Sequence, residues 1–119
     1  MNAEKRKLKR KNTETELLPQ LEVAEHFFSR LKGLLGTATL PEGQGLWIHR
    51  CNSIHTFFMK YTIDCIFLDA DLRVVSLVPS VSPGRMVWPQ AKADSVIEIA
   101  AGQLQKFDLK IGEQLYVGN

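Results

Sequence analysis

Two of the chain's three histidines and one of its two cysteines fall between His49 and Asp64, alongside Asn52, Ser53, Thr56 and Thr62. Imidazole and thiol groups this close in sequence suggest three kinds of chemistry. The first is a metal site built from His49, Cys51 and His55, since nitrogen and sulfur donors suit zinc. In an extended chain these three share one face, but they then span roughly 20 Å at about 3.3 Å per residue, so one ion requires the chain to fold back. The second is nucleophilic catalysis, with Cys51 attacking, His55 as base and Asp64 orienting it; no neighbouring residue marks the thiol as activated. The third is a pocket in which Ser53, His55, Thr56 and Asp64 hydrogen-bond a small polar ligand above an apolar floor of Met59, Phe57 and Trp47. Against all three stands a purely internal role, a satisfied polar network that fixes the chain crossing.

The elements around this segment must position it. Ile63–Leu68 is a nearly continuous apolar run, the pattern of a strand covered on both faces. Asp64 lies inside that run, so its carboxylate needs a partner; Lys60, Arg50 and His55 are the side chains at hand. Asp69-Ala70-Asp71 supplies turn chemistry, and Leu72–Val78 completes a hairpin. Leu46–Ile48 and Ser95–Ile99 read as strands, Ala100–Phe107 as one or two helical turns, and Gln114–Val117 as a closing strand. Upstream, Leu17–Val23 contains Pro19 and reads as an edge strand. Apolar residues at 24, 27, 28, 31, 34 and 35 have helical spacing, with Gly33 and Gly36 as the stop. Trp47 and Trp88 are assigned to the core. Closely spaced strands without regular intervening helices predict a mainly β fold, a single small antiparallel barrel or sandwich with one or two short helices.

The 119 residues, 45% hydrophobic and 24% charged, suffice for one globular domain. No apolar run approaches the roughly 18 residues of a transmembrane helix. Two cysteines exclude a disulfide-rich scaffold and a four-cysteine zinc site. Phosphate-binding glycine loops are absent. The net charge of +2 conceals a division. Residues 1–13 hold six basic side chains against Glu4, while the rest carries nine basic and 12 acidic ones. Residues 1–15 therefore read as a disordered basic tail ahead of a domain at 16–119. Lys5–Lys11 is the segment that could hold an anionic partner, nucleic acid or membrane. The basic start has no apolar stretch behind it, so the expected location is cytoplasmic, an exported mature form staying open. In that second location Cys51 and Cys65 become candidates for a disulfide.

The segment from His55 to Asp69 resembles the signature of the domain-of-unknown-function 192 family of small bacterial and archaeal proteins. Arg30 to Gly36, Leu40 to Leu46, Val96 to Gly102 and Leu109 to Glu113 resemble further family elements in the same order, so the likeness spans about residues 20–117. The resemblance implies a mainly β domain with short helices and implies no activity. It singles out Arg30, His55, Met59 and Asp64. By its chemistry Arg30 is a candidate guanidinium fork for a carboxylate, with Asp64 as the candidate partner. Phe57 and Phe58 depart from it, since relatives often carry tryptophan or glycine there; Thr62 departs where proline is frequent.

The expectation drawn from the sequence is a binding domain without a cofactor, recognising a small polar ligand or a protein partner through residues 51–64. Its candidate residues are Cys51, Ser53, His55, Thr56, Met59, Asp64 and Arg30. The alternatives are a Cys/His- or metal-dependent enzyme, and an accessory protein docking through its basic arm.

Overall fold

The computed structural model describes residues 5–24 and 40–119. They form β1 (Lys5–Arg10), β2 (Glu16–Ala24), β3 (Gln44–His49), β4 (Ile54–His55), β5 (Ile63–Leu68), β6 (Val74–Val81), β7 (Met86–Val87), β8 (Ser95–Ala100), a short helix α1 (Gln103–Phe107) and β9 (Leu115–Gly118). The mainly β expectation holds. Seven strands make one sheet in the order β6-β5-β8-β3-β2-β1-β9, while β4 and β7 pair as a separate two-stranded ribbon. All pairings are antiparallel except β2 with β3. The helix predicted from the spacing at 24–35 lies outside the described residues apart from Ala24, which ends β2.

The large sheet curls into a half-barrel until its two edges meet at one corner. There Leu115 N donates to Leu72 O, and Val74 N donates to Glu113 O, both at 3.0 Å. Arg73 and Gln114 form an isolated antiparallel bridge at the same corner. The concave face is the main core. Leu77, Ile66, Ile97, Trp47 and Val23 lie in register across five neighbouring strands, and all pack in the same apolar cluster. Gly45 on β3 is required by this packing: an added Cβ would come within 2.7 Å of Leu18 Cδ1 and 3.3 Å of Ile97 Cγ2.

The convex face carries a second core. Cys65 and Phe67 of β5, Val96 of β8, Ile48 of β3 and Val81 of β6 pack there beneath Ile54, Met59 and Val87. Strand β5 is thus buried at every residue, and β8 at all but Ala100. This double burial explains the unbroken apolar run that marked β5 in the sequence. The β5–β6 hairpin also forms as expected. Asp69 Oδ1 accepts from Asp71 N and Arg73 N, both at 2.9 Å, an aspartate turn closed on its own backbone.

Two expectations need correction. Residues 5–10 are not a disordered tail. They form β1, between β2 and β9, and Leu8 is fully buried. Three of their basic groups have partners within the fold. Arg10 donates to the Phe107 carbonyl and forms an ion pair at 2.6 Å with Glu113. Lys7 pairs with Glu16 at 3.2 Å, and Lys9 lies 5.8 Å over the Tyr116 ring. The arm proposed to hold an anionic partner is therefore part of the sheet. Strand β2, for its part, is internal rather than an edge. Its register with β1 shifts across Leu18–Leu21, which accommodates Pro19 at a bulge where no ladder N–H is needed.

Among the described residues no helix is long and apolar enough to cross a membrane.

If β1 is integral, Leu8→Ala should cost about 2–5 kcal/mol in urea unfolding, the range for truncating a buried leucine. A loss under about 0.5 kcal/mol, as for a surface site, would return the segment to a dispensable tail.

Candidate functional site

The segment 49–64 is not extended. Strand β3 ends at His49, and Arg50 adopts φ 51°, a left-handed value that turns the chain. His49, Cys51, Ser53 and His55 therefore do not share a strand face. His49 stays on the concave side, its ring 4.1 Å from Trp47. Cys51 packs against the convex core, and its thiol donates to Ser53 O at 2.9 Å. His55 sits on the β4–β7 ribbon, opposite Met86. Among the described residues no three His, Cys, Asp or Glu side chains form a group that could hold a metal ion.

Thr56 and Asp64 serve the fold. Thr56 is fully buried. Its hydroxyl donates to Ser82 O at 2.6 Å and accepts from Arg85 N at 2.9 Å. Its backbone N donates to Arg85 O at 2.8 Å, and its carbonyl accepts from Gly84 N and Met59 N. One threonine thus ties the Ser82–Arg85 turn to the start of the 56–59 turn. Asp64, also buried, takes its hydrogen bonds from backbone. Oδ1 accepts from Ser80 N at 2.8 Å; Oδ2 accepts from Gly102 N at 2.9 Å and Leu104 N at 3.0 Å. The expected partners Lys60 and Arg50 are exposed, and Arg30 lies outside the described residues. Gly102 is the N-cap of α1 and provides no side-chain cap, so Asp64 supplies one from β5.

Asp64 does not orient His55 as the catalytic reading requires. Asp64 faces backbone amides, and the buried Nδ1 of His55 has no hydrogen-bond partner among the described residues. Burial pushes the Cys65 thiol far up, with the negative charges of Glu98 and Asp64 and the Cys51 group adding to it, so Cys65 is held as a neutral thiol. Cys51 and Cys65 are not joined by a disulfide. The proposed pocket floor is divided as well. Met59 belongs to the convex core and Trp47 to the concave one.

The ribbon and the 56–59 turn also present large apolar side chains outward. Ile54 and Val87 of the ribbon face inward and are buried, so their neighbours face out. His55 stacks on Phe57, centroids 4.9 Å apart and planes 22° from parallel. Phe57 is 38% exposed, Met86 48%, Trp88 72% and Phe58 82%. These are four of the five exposed large hydrophobic side chains among the described residues; the fifth is Ile111. Trp88 thus leaves the core position expected for it, because it follows the inward Val87 by one residue. Phe58 is the third residue of a turn closed by Met59 N to Thr56 O at 3.1 Å, with φ 69°. Turns with positive φ at that position ordinarily take glycine.

The model of the DUF192 family, described as an uncharacterised ACR, matches residues 7–117. This chain is a member of that family. A UPF0127 protein of Thermococcus sibiricus is 33% identical over 100 residues, covering 81% of this chain and 64% of the relative. A UPF0127 protein of Pyrococcus horikoshii is 40% identical over 63 residues, covering 53% of this chain and 54% of the other. The chain therefore spans less than two thirds of these relatives. A crystal structure of a protein of unknown function from Novosphingobium aromaticivorans superposes with TM-score 0.77 at 19% identity, covering 96% of this chain and 84% of that one. That likeness extends the DUF192 fold to a distant sequence and carries no activity.

The internal role of the two polar residues has a direct consequence. Asp64→Asn places a donor where N–H groups converge and should cost about 2–4 kcal/mol in urea unfolding; Thr56→Val should cost about 1–3 kcal/mol. Ser53→Ala should stay within about 0.5 kcal/mol of the parent. Losses below that level for Asp64→Asn and Thr56→Val would show that the network is not structural.

Proposed function

We propose that this DUF192 chain is a binding domain whose contact surface is the outer face of the β4–β7 ribbon with the 56–59 turn. The 51–64 segment keeps its place in this reading, but the chemistry is reversed. The hydrogen-bonding groups of Thr56 and Asp64 turn inward, and the aromatic groups turn outward. That surface offers a macromolecular partner large side chains of the types that dominate interface energetics.

The observation that carries this reading is Phe58. A bulky residue in the left-handed region costs about 1–2 kcal/mol, and glycine relieves it. An exposed phenylalanine there also gains nothing from burial in the isolated domain. Strain held at an exposed aromatic supports a role outside the fold.

Two measurements test this together. Phe58→Gly should raise stability by about 0.5–1 kcal/mol, because strain is relieved. A photo-crosslinking residue placed in living cells at position 58 or 88 should give a discrete adduct, protein or lipid, that is lost on Phe57→Ser. The same residue at position 111 should give none. Equal adducts at all three positions, or none at 58 and 88, would overturn the reading.

A further inference from the structure

The charge around the ribbon bears on what it could contact. Residues 50–63 and 79–93 supply the ribbon, its turns and their flanks, and they contain Arg50, Lys60, Arg85 and Lys92 but no aspartate or glutamate. The whole chain has 13 acidic residues, so a stretch of this length without one stands apart. All four cations are exposed, and among the described residues none has a carboxylate within ion-pair distance. Hydrogen bonds place them at the two ends of the ribbon. Cys51 N to Asp94 O and Gln90 N to Asn52 O hold the 50–52 and 90–94 segments together, at the end carrying Arg50 and Lys92. The paired bonds between Thr56 and Arg85 set Arg85 beside the turn that leads to Lys60. The nearest acids in sequence are Asp64, buried and bonded to backbone, and Asp94 at the margin.

We infer that this face docks on an anionic lipid surface, with Phe57, Phe58 and Trp88 entering the interfacial layer and the four cations meeting headgroup phosphates. The inference rests on the ribbon being the contact face and names its partner. Exposed tryptophan and phenylalanine beside lysine and arginine combine the two attractions that hold peripheral proteins to bilayers, apolar insertion and charge. The degree of protrusion favours lipid over a folded partner. Side chains as exposed as Phe58 and Trp88 require matching pockets in a protein, whereas a fluid interface receives them without any. Acidic residues would be repelled by the headgroups, and the ribbon segments contain none on the surface before Asp94.

The test uses the full chain with large unilamellar vesicles. One set is phosphatidylcholine alone; the other is three parts phosphatidylcholine to one part phosphatidylglycerol. The chain should sediment with the mixed vesicles at low salt, bind the neutral ones far less, and be released as salt rises. Binding should shift tryptophan emission to the blue, and Trp88→Phe should remove that shift although Trp47 is retained. Phe58→Ser and the double variant Lys60→Glu/Arg85→Glu should each weaken partitioning about tenfold, with circular dichroism unchanged; Ile111→Ser should leave it unaltered. Failure to bind the mixed vesicles, equal binding to neutral ones, or indifference to these variants would overturn the inference. So would a single-stranded oligonucleotide that binds the chain in their place and loses affinity with the same variants. A protein adduct at position 58 with no vesicle binding would overturn the lipid assignment and leave the contact face standing; absence of both would remove both.

Discussion

The carboxylate of Asp64 is the constraint on which the rest of the structure depends. It sits on the most buried strand of the sheet, where an unsatisfied charge is untenable, and three backbone amides from two other elements close on it. Ser80 lies near the end of β6 with φ 54°, and Gly102 opens α1 with φ 91°. Two segments in unusual backbone conformations are thus held by one side chain. Helix α1 has five residues and no acidic group in its first turn. A helix so short is marginal alone, and Asp64 fixes its start where Leu104 enters the concave core.

Thr56 repeats the device at the other end of the segment. There a hydroxyl and two backbone groups bind the Ser82–Arg85 turn, and the ribbon is aligned over the convex core as a result. With these polar groups committed to holding the chain, Phe57, Phe58 and Lys60 between them face outward. The 51–64 segment therefore divides its residues by direction: hydrogen-bonding groups beneath, exposed aromatic and cationic side chains above. The same division explains why a segment rich in histidine, cysteine and hydroxyl groups is assembled as neither a catalytic relay nor a metal site among the described residues.

What the sequence revealed depended on how local each signal was. The β5–β6 hairpin was legible because an unbroken apolar run and an aspartate turn lie within a few residues of one another. Strand β8 and helix α1 were legible for similar reasons. Strand β1 was not. One leucine among five basic residues carries little hydrophobic pattern, and the groups that partner Arg10 come from Phe107 and Glu113 at the far end of the chain. Pro19 pointed to an edge because a bulge in an internal strand has no clear mark in sequence. That Asp64 needed a partner followed from its apolar surroundings; which partner did not, since backbone amides have no residue signature. Trp88 was misplaced for a related reason. A two-residue strand is too short for alternation to show which side chain faces out.

Amide-resolved hydrogen exchange on the unmodified chain tests the central claim most directly. If Asp64 and Thr56 are the anchors, the N–H groups of Ser80, Gly102, Leu104 and Arg85 should exchange as slowly as those of the β5–β8 ladder, opening only with global unfolding. Exchange of these four amides at rates typical of exposed loops would contradict the account.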